Sequence, residues 1–236
     1  MKDNPINTGI IILSRFSSNR LPGKALMPLG DTTVLGFIIE RLRQVVKPEN
    51  ILIATSDESS DDVIAMYSNK TGIDCFRGSL NNVALRFYEA AASKGWEYAT
   101  RINGDNIFVD IPLLKKMLAI AAENKYDFIS NVKGRTYPKG MSIEIVRVDF
   151  YAQQLHHIRE SAYHSEHVTS YLYEHEELGE YHFQYNTEIT ELAGIQLALD
   201  TPEDMQRTRS IVASFKAPQY VYGMTEINEI LKKIKE

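Results

Sequence analysis

A loop rich in cations and hydroxyl groups, residues 14–24, is the first place in the sequence where side chains could do chemistry. Bound phosphates need hydroxyl and backbone N–H donors together with fixed positive charges at close quarters. The loop is neither a Walker motif, G-x-x-x-x-G-K-[ST], nor a Rossmann motif, G-x-G-x-x-G. It predicts phosphate binding, with a solvated basic loop as the alternative. The cations are Arg15, Arg20 and Lys24, and the hydroxyl donors are Ser14, Ser17 and Ser18.

Two aspartates far apart in the chain could hold a divalent cation. Asp105 follows the apolar run 98–102, and Asp200 follows a second apolar run, 196–199. Mg²⁺ takes oxygen ligands, typically one or two carboxylates completed by phosphate oxygens and water. Each aspartate also has a structural alternative, which is a turn residue for Asp105 and a helix cap for Asp200.

Short apolar runs alternate with amphipathic segments up to about residue 131, and this alternation predicts a βαβ fold. Such a rhythm builds a mainly parallel sheet with helices on both faces, and ligands gather at the carboxyl ends of its strands. The chemistry should therefore follow Leu13, Thr55, Arg77 and Ile102. The predicted strands are 9–13, 51–55, 74–77, 98–102 and 127–130, and the predicted helices are 33–46, 61–67, 82–94 and 112–123.

The pattern changes after residue 131, where strands and helices no longer alternate regularly. Because the sequence has no linker or repeat, we predict one domain, 1–236, with an inserted lobe at about 131–195. Further strands are predicted at 142–148, 181–185 and 196–199, and further helices at 149–159, 166–175, 202–215 and 225–233.

Composition narrows the function classes. The chain has 236 residues, 44% of them hydrophobic, and a net charge of −5 with scattered Lys and Arg, which argues against a nucleic-acid partner. No apolar stretch approaches the roughly 20 residues that span a membrane, and residues 1–8 lack a signal-peptide core, so we expect a cytoplasmic protein. The single cysteine, Cys75, cannot form an internal disulfide. A buried strand position is the favoured interpretation for it, and a catalytic thiol is the alternative.

The loop and several later motifs resemble the cytidylyltransferases that activate 3-deoxy-manno-octulosonate and acylneuraminate. The first shared motif is Ser-Arg-x-x-Ser-x-Arg-Leu-Pro-Gly-Lys-x-Leu, beginning at Ser14. The rest of the chain is most similar to the spore-coat-polysaccharide branch of that family. The matching segments run in the family's order, at 77–79, 83–91, 101–105, 137–140, 165–169 and 199–204.

This resemblance implies a Rossmann-like nucleotide-diphospho-sugar transferase fold, a Mg²⁺-dependent reaction and a homodimer. The reaction would transfer a cytidylyl group from CTP to a small anionic acceptor, a sugar acid or a phosphorylated metabolite, in surface polysaccharide or related biosynthesis. Arg15, Arg20 and Lys24 match the family's triphosphate-binding cations, and Asp105 and Asp200 match its metal aspartates. Arg15, Lys24 and Asp105 are the predicted catalytic residues.

Other positions match places where the family recognises the nucleotide base or the acceptor. Thr55 and Arg77 end strands near the nucleotide, although a surface salt bridge is an equal alternative for Arg77. Arg86 shares a helical face with Asn82 and is predicted to bind the base or a phosphate. The predicted acceptor residues in the lobe are Lys139, Glu144, His167 and Tyr171, with a packed histidine as the alternative for His167.

The chain departs from the family pattern near the acceptor. Lys139 and Ser142 stand where the spore-coat branch usually has acidic residues, and Ile107 replaces the proline of Gly-Asp-x-Pro. The added charge of Lys139 predicts a more anionic acceptor, such as a phosphate ester or phosphonate. A nucleotide-sugar-dependent glycosyltransferase is the alternative function, but residues 57–62 offer no Asp-x-Asp motif at a strand end. A non-catalytic nucleotide-binding subunit is disfavoured because the predicted cations and aspartates are all present.

Overall fold

A seven-stranded sheet, in the order β5-β4-β1-β6-β8-β7-β9, forms the centre of the computed structural model. The structure describes residues 7–18 and 20–235, with only the backbone described at 235. The prediction that residues 1–8 lack a signal-peptide core therefore falls mostly outside the described residues. The strands are β1 Thr8–Leu13, β2 Pro28–Leu29, β3 Thr32–Thr33, β4 Ile51–Ser56, β5 Asp74–Gly78, β6 Tyr98–Asn103, β7 Phe128–Ser130, β8 Glu144–Arg147 and β9 Tyr181–Phe183.

Strand β8 alone runs against its neighbours within the described sheet, since every other pairing in it is parallel. Strands β2 and β3 form a separate hairpin. The predicted mainly parallel sheet flanked by helices is thus confirmed. The helices are α1 Val34–Leu42, α2 Asp62–Thr71, α3 Val83–Ser93, α4 Ile111–Ala122, α5 Val148–Arg159, α6 Ala162–Glu166, α7 Ser170–Glu174, α8 Pro202–Ala213 and α9 Met224–Lys235.

The apolar run in β1 reflects burial of the sheet on both faces. Ile10 and Ile12 pack on the face covered by α1 and α4, whereas Ile11 and Leu13 pack on the face covered by α3 and α5. A strand with both faces buried needs consecutive apolar residues rather than an alternating pattern. Helices α8 and α9 enclose a third apolar cluster beside the hairpin. None of the described helices is long and apolar enough to cross a membrane.

The predicted strand 196–199 is wrong. This segment makes only a single β-bridge, between Gln196 and Lys139. The N–H of Lys139 donates to Ile195 O at 2.8 Å, and the N–H of Leu197 donates to Lys139 O at 2.9 Å. The next residue, Gly140, has φ of 93°, and a Cβ there would lie 2.5 Å from the backbone nitrogen of Ala198. The turn at 137–140 therefore lies too close to the segment for a regular ladder to continue.

The predicted continuous helix 166–175 is also wrong, because residues 167–169 separate α6 from α7. The break leaves the carbonyl of Val168 available to accept a 2.6 Å bond from the Tyr151 hydroxyl. It also lets the Thr169 hydroxyl donate to the buried Glu144 carboxylate at 2.6 Å. These tertiary bonds replace helical ones, so His167 and Tyr171 do not share a face of one helix.

Candidate active site

The carboxyl ends of β1 and β6 form one end of a continuous cleft. Its first part, a cavity of about 360 Å³ that we call the loop cavity, is lined by loop 14–24, Arg86 and Glu166. Its second part, the lobe cavity, has a volume of about 580 Å³ and is bounded by residues 132–142, 163–173 and 196–200. Five residues line both parts: Arg101, Asn103, Asp105, His167 and Asp200.

Gly104 allows the two strand ends to approach closely. Its N–H donates to the carbonyl of Leu13 at 2.8 Å. A Cβ at this position would lie 2.9 Å from Ser14 Oγ and 3.2 Å from Leu13 O, closer than side chains normally pack. The absence of a side chain therefore brings Asp105 next to the loop that follows β1.

Lys24 links the loop to both aspartates. Its Nζ donates to Leu199 O at 2.7 Å and lies 3.5 Å from both Asp105 Oδ2 and Asp200 Oδ1. Arg20 also pairs with Asp200, at 2.8 Å. The two acids, distant in sequence, thus face the same cationic loop.

The electrostatics at Asp105 suit a further cation. Burial raises the pKa of its carboxyl, Lys24 opposes that rise, and the neighbouring Asp200 adds to it. Among the described residues no cluster of three or more His, Cys, Asp or Glu forms a complete metal site. Two carboxylates fit a hard divalent cation only if phosphate oxygens and water complete its shell, as Mg²⁺ prefers.

The helix-cap alternative for Asp200 is wrong. Thr201 is the N-cap of α8, with its side chain accepting from the N–H of Asp204 at 3.2 Å. Asp204 in turn accepts from the N–H groups of Asp200 and Thr201. This capping box holds the backbone at Asp200 and leaves its carboxylate directed at Lys24 and Arg20.

Arg15 lies at the outer edge of the loop cavity, where its guanidinium pairs with Glu166 at 3.4 Å. Both side chains are partly exposed, so the pair contributes little to stability. Ser14 and Ser18 line the same cavity, and Ser17 does not. Each predicted loop cation thus has a carboxylate partner within the described part of the chain.

Asp61 anchors the loop 14–24 through a hydrogen bond to its backbone, a role that the sequence did not reveal. Its buried carboxylate accepts from the backbone N–H of Phe16 at 2.7 Å, and from Thr55 Oγ1 and Ser56 N at 2.8 and 2.9 Å. Burial favours a raised pKa at Asp61, but these bonds and the Ser56 hydroxyl hold it below its ordinary value. The Asp61 carboxylate therefore ties the end of β4 to the loop. Thr55, which was predicted to lie near the nucleotide, donates to Asp61 and lines neither cavity.

Arg77 and Arg86 were both predicted to lie near the nucleotide, and of these two only Arg86 lines the loop cavity. It is 2% exposed, donates to Ser79 O at 2.6 Å, and its Nε has no partner among the described residues. Burial lowers the pKa of Arg86 to about 10. Arg77 instead pairs with Asp62 at 2.6 Å on the surface, and Asn82 caps α3.

Cys75 lies on β5 away from both cavities. Burial raises the pKa of its thiol, which is the opposite of what an activated nucleophile needs. The predicted strand position is confirmed, but Cys75 is half-buried rather than buried.

Glu144 and Arg101 form a buried ion pair in the wall of the lobe cavity. The Glu144 carboxylate also accepts from Thr169 Oγ1 at 2.6 Å and from the Tyr173 hydroxyl at 2.8 Å. Burial alone would raise the pKa of Glu144, but Arg101 and the two hydroxyls lower it. Glu144 is thus fully engaged within the protein.

The remaining acceptor candidates separate in the structure. Lys139 lines the lobe cavity and His167 lines both cavities, whereas Tyr171 lines neither and packs against the rings of His157 and His175. Several cleft residues were not assigned a role from the sequence, among them Arg101, Asn103 and Glu166. The alternation of β6 could have revealed the first two, since side chains two apart share a face with Asp105.

Comparisons with known proteins show which family the chain resembles. A family model described as "Cytidylyltransferase" matches residues 9–233. The spore coat polysaccharide biosynthesis protein SpsF of Bacillus subtilis is 31% identical over 211 residues, 85% of this chain and 84% of that protein. A 3-deoxy-manno-octulosonate cytidylyltransferase of Acinetobacter baumannii is 31% identical over 115 residues, 46% of this chain and 42% of that protein.

The fold has a close solved counterpart. The structure of a cytidylyltransferase from Leptospira borgpetersenii superposes with a TM-score of 0.88 at 29% identity, covering 98% of this chain and 95% of that one. The resemblance inferred from the sequence motifs is thereby confirmed.

Proposed function

The chain belongs to the cytidylyltransferase family, and from that premise we propose that it transfers the cytidylyl group of CTP to a small anionic acceptor. The acceptor is a sugar acid or a phosphorylated metabolite, and the reaction serves surface polysaccharide or related biosynthesis. The names of two relatives, one in spore coat polysaccharide biosynthesis and one acting on an octulosonate, support this acceptor class.

One observation carries the proposal. Lys24 Nζ lies 3.5 Å from each of Asp105 and Asp200, and Arg20 contacts Asp200 at 2.8 Å. Cations that could bind phosphate and carboxylates that could bind a metal thus lie side by side in one cleft, an arrangement that supports transfer of a nucleotidyl group.

In the proposed reaction an acceptor oxygen attacks the α-phosphorus of CTP in line. The new P–O bond forms as the bond between the α-phosphorus and its bridging oxygen breaks, and pyrophosphate leaves with that electron pair. A proton on the acceptor oxygen passes to solvent. Arg15, Arg20 and Lys24 would hold the β- and γ-phosphates and stabilise the charge that develops on the leaving group.

Asp105 and Asp200 would hold Mg²⁺, which supplies charge neutralisation at the phosphates when it is bound. Burial and the neighbouring Asp200 raise the pKa of Asp105, and Lys24 offsets that rise only in part. A bound cation would therefore stabilise the two carboxylates further. Ser14, Ser18 and Arg86 would bind the nucleotide from the other walls of the loop cavity.

We extend the proposal to the chain's organisation on the strength of the family resemblance. The protein would act as a cytoplasmic homodimer, with 1–236 as one domain and residues at about 131–195 forming the lobe that contacts acceptor and partner copy. Light scattering on the purified protein tests the dimer, and a monomeric mass would contradict it.

A pyrophosphate-release assay tests the function. CTP, UTP, GTP and ATP are each combined with ulosonic acids and sugar phosphates, with and without Mg²⁺, and UDP-sugars are tested in parallel. We expect CTP-dependent release that Asp105→Asn abolishes and that Asp31→Asn, an exposed turn aspartate, leaves intact. Full activity of Asp105→Asn with Mg²⁺, or turnover of a UDP-sugar in place of CTP, would refute the proposal.

A further inference from the structure

The lobe cavity carries more positive charge than its own acidic residues balance. Arg101 is neutralised by Glu144, and Lys133 pairs with Glu176 while lying 4.4 Å from the Phe183 ring. Asp105 and Asp200, the other acids of this cavity, face Lys24 and Arg20.

Two cations on the cavity wall stay unmatched. Across residues 7–18 and 20–235, no carboxylate lies within 4.0 Å of the charged groups of Arg135 or Lys139. Both side chains belong to exposed residues that line the cavity, on either side of the turn that begins at Tyr137. Within the described cavity wall, two positive charges thus remain for a ligand.

The main chain is constrained at both of these residues. Arg135 has φ of 50°, a left-handed conformation that is costly for a residue with a side chain, and it follows Gly134 at 73°. Lys139 is fixed through its N–H and C=O to Ile195 and Leu197. Backbone strain of this kind clusters at ligand and active sites, which favours a binding role for Arg135.

We propose that the lobe cavity binds its acceptor through a dianionic phosphoryl or phosphonyl group held by Arg135 and Lys139. This inference rests on the proposed function and narrows its acceptor class. A phosphate monoester carries nearly two negative charges at neutral pH and presents three acceptor oxygens, which match two cations. A carboxylate carries only one charge. The planar fork of Arg135 also suits a phosphoryl group.

The polar surroundings agree with a small phosphorylated molecule rather than an apolar one. Ser142, Gln196 and Ser170 line the same cavity; the Ser170 hydroxyl contacts His164 Nδ1 at 2.8 Å, and the Gln196 amide donates to Ala198 O at 3.0 Å. Asn106 donates to the carbonyl of Ser142 at 2.8 Å and so fixes this wall in place of the family's proline-shaped loop.

Calorimetric titration tests this assignment on the full chain. An α,β-methylene analogue of CTP with Mg²⁺ first fills the loop cavity, and inorganic phosphate or acetate is then titrated at pH 8. Wild type should bind phosphate at least tenfold more tightly than acetate. Arg135→Gly and Lys139→Gln should each weaken phosphate binding about tenfold, as expected for loss of one charged hydrogen bond.

The variants are chosen so that misfolding cannot explain the loss. Glycine at 135 adopts a positive φ without strain, so Arg135→Gly should keep the unfolding temperature of wild type within a few degrees. Lys116→Gln removes an exposed lysine of α4 and should leave phosphate binding unchanged.

The outcomes separate this inference from the proposed function. Equal binding of phosphate and acetate, or unchanged phosphate affinity in both variants, overturns the phosphoryl assignment. Pyrophosphate release from CTP with ulosonic acids but not with phosphorylated acceptors overturns it while cytidylyl transfer stands. Failure of the CTP analogue to bind would instead remove the proposed function and this inference together.

Discussion

Replacing Lys24 with methionine removes the ammonium group that joins the loop to both aspartates while preserving most of the side-chain volume. In the folded protein Nζ is largely shielded from solvent, with the side chain 14% exposed, and it donates to Leu199 O at 2.7 Å. We expect Lys24→Met to lose one charged hydrogen bond and to leave Asp105 and Asp200 facing each other without their shared counter-ion.

The magnitude follows from these contacts. Loss of one charged hydrogen bond costs about 2 kcal/mol. For a chain of this length, that corresponds to a fall in unfolding temperature of roughly 4–8 °C. If the same ammonium also binds a phosphate of CTP, a similar loss in the transition state lowers kcat/KM by about 30-fold.

The stability of Lys24→Met should depend on pH in a definite direction. Burial already raises the pKa of Asp105, and removing Lys24 raises it further because that cation lowers it in the wild type. The folded variant therefore holds protons that its unfolded chain releases, so its stability falls as pH rises through the interval from the ordinary carboxyl pKa to the raised one. The deficit relative to wild type should be largest at neutral pH and shrink on acidification.

Thermal unfolding without metal, measured from pH 4 to pH 8, tests the predicted loss of stability and its pH dependence. CTP-dependent pyrophosphate release tests the predicted fall in kcat/KM. Lys116→Met serves as the matched control, because it removes an exposed lysine outside the cleft. An unfolding temperature for Lys24→Met equal to that of the control at every pH, with kcat/KM within twofold of wild type, would refute the reasoning.

Three further predictions concern the same cleft. Glu166→Gln removes a carboxylate that competes with phosphate for Arg15, so the Kd for CTP should fall about fivefold for a gain of about 1 kcal/mol; an unchanged or larger Kd by calorimetry would count against this. Gly104→Ala places a methyl group 2.9 Å from Ser14 Oγ and should cost about 1–3 kcal/mol in chemical denaturation, whereas undiminished stability would show that the strand ends can separate freely. The stabilisation of wild type by Mn²⁺ should disappear as pH falls through the raised pKa of Asp105 and be absent in Asp105→Asn; a pH-independent thermal shift would contradict this account.

The central sheet could be predicted because its local signals agree with its tertiary environment. The run 9–13 is apolar at every position after the glycine, since helices cover both faces, and β1 forms there. The same agreement between pattern and burial fixes β4 and β6 to within a residue or two of their predicted ends. The loop that follows β1 could be recognised because its charges and hydroxyls are contiguous in sequence.

The lobe was harder to predict because long-range bonds override local preference there. Nothing near residues 166–175 indicates that Thr169 bonds Glu144 or that Val168 accepts from Tyr151, yet those bonds break the helix. Without that continuous helix, His167 and Tyr171 do not share a helical face. The predicted helix 61–67 begins at Asp61, and nothing in that pattern indicates that the Asp61 carboxylate accepts from the backbone of the loop.

The most direct test of the central claim is a crystal structure of the protein with Mn²⁺ and a non-cleavable CTP analogue, located by the anomalous signal of the metal. We expect a manganese peak at about 2 Å from carboxylate oxygens of Asp105 and Asp200 and from a phosphate oxygen, with the triphosphate on Arg15, Arg20 and Lys24. A manganese site elsewhere in the molecule, or a triphosphate bound away from residues 14–24, would contradict it.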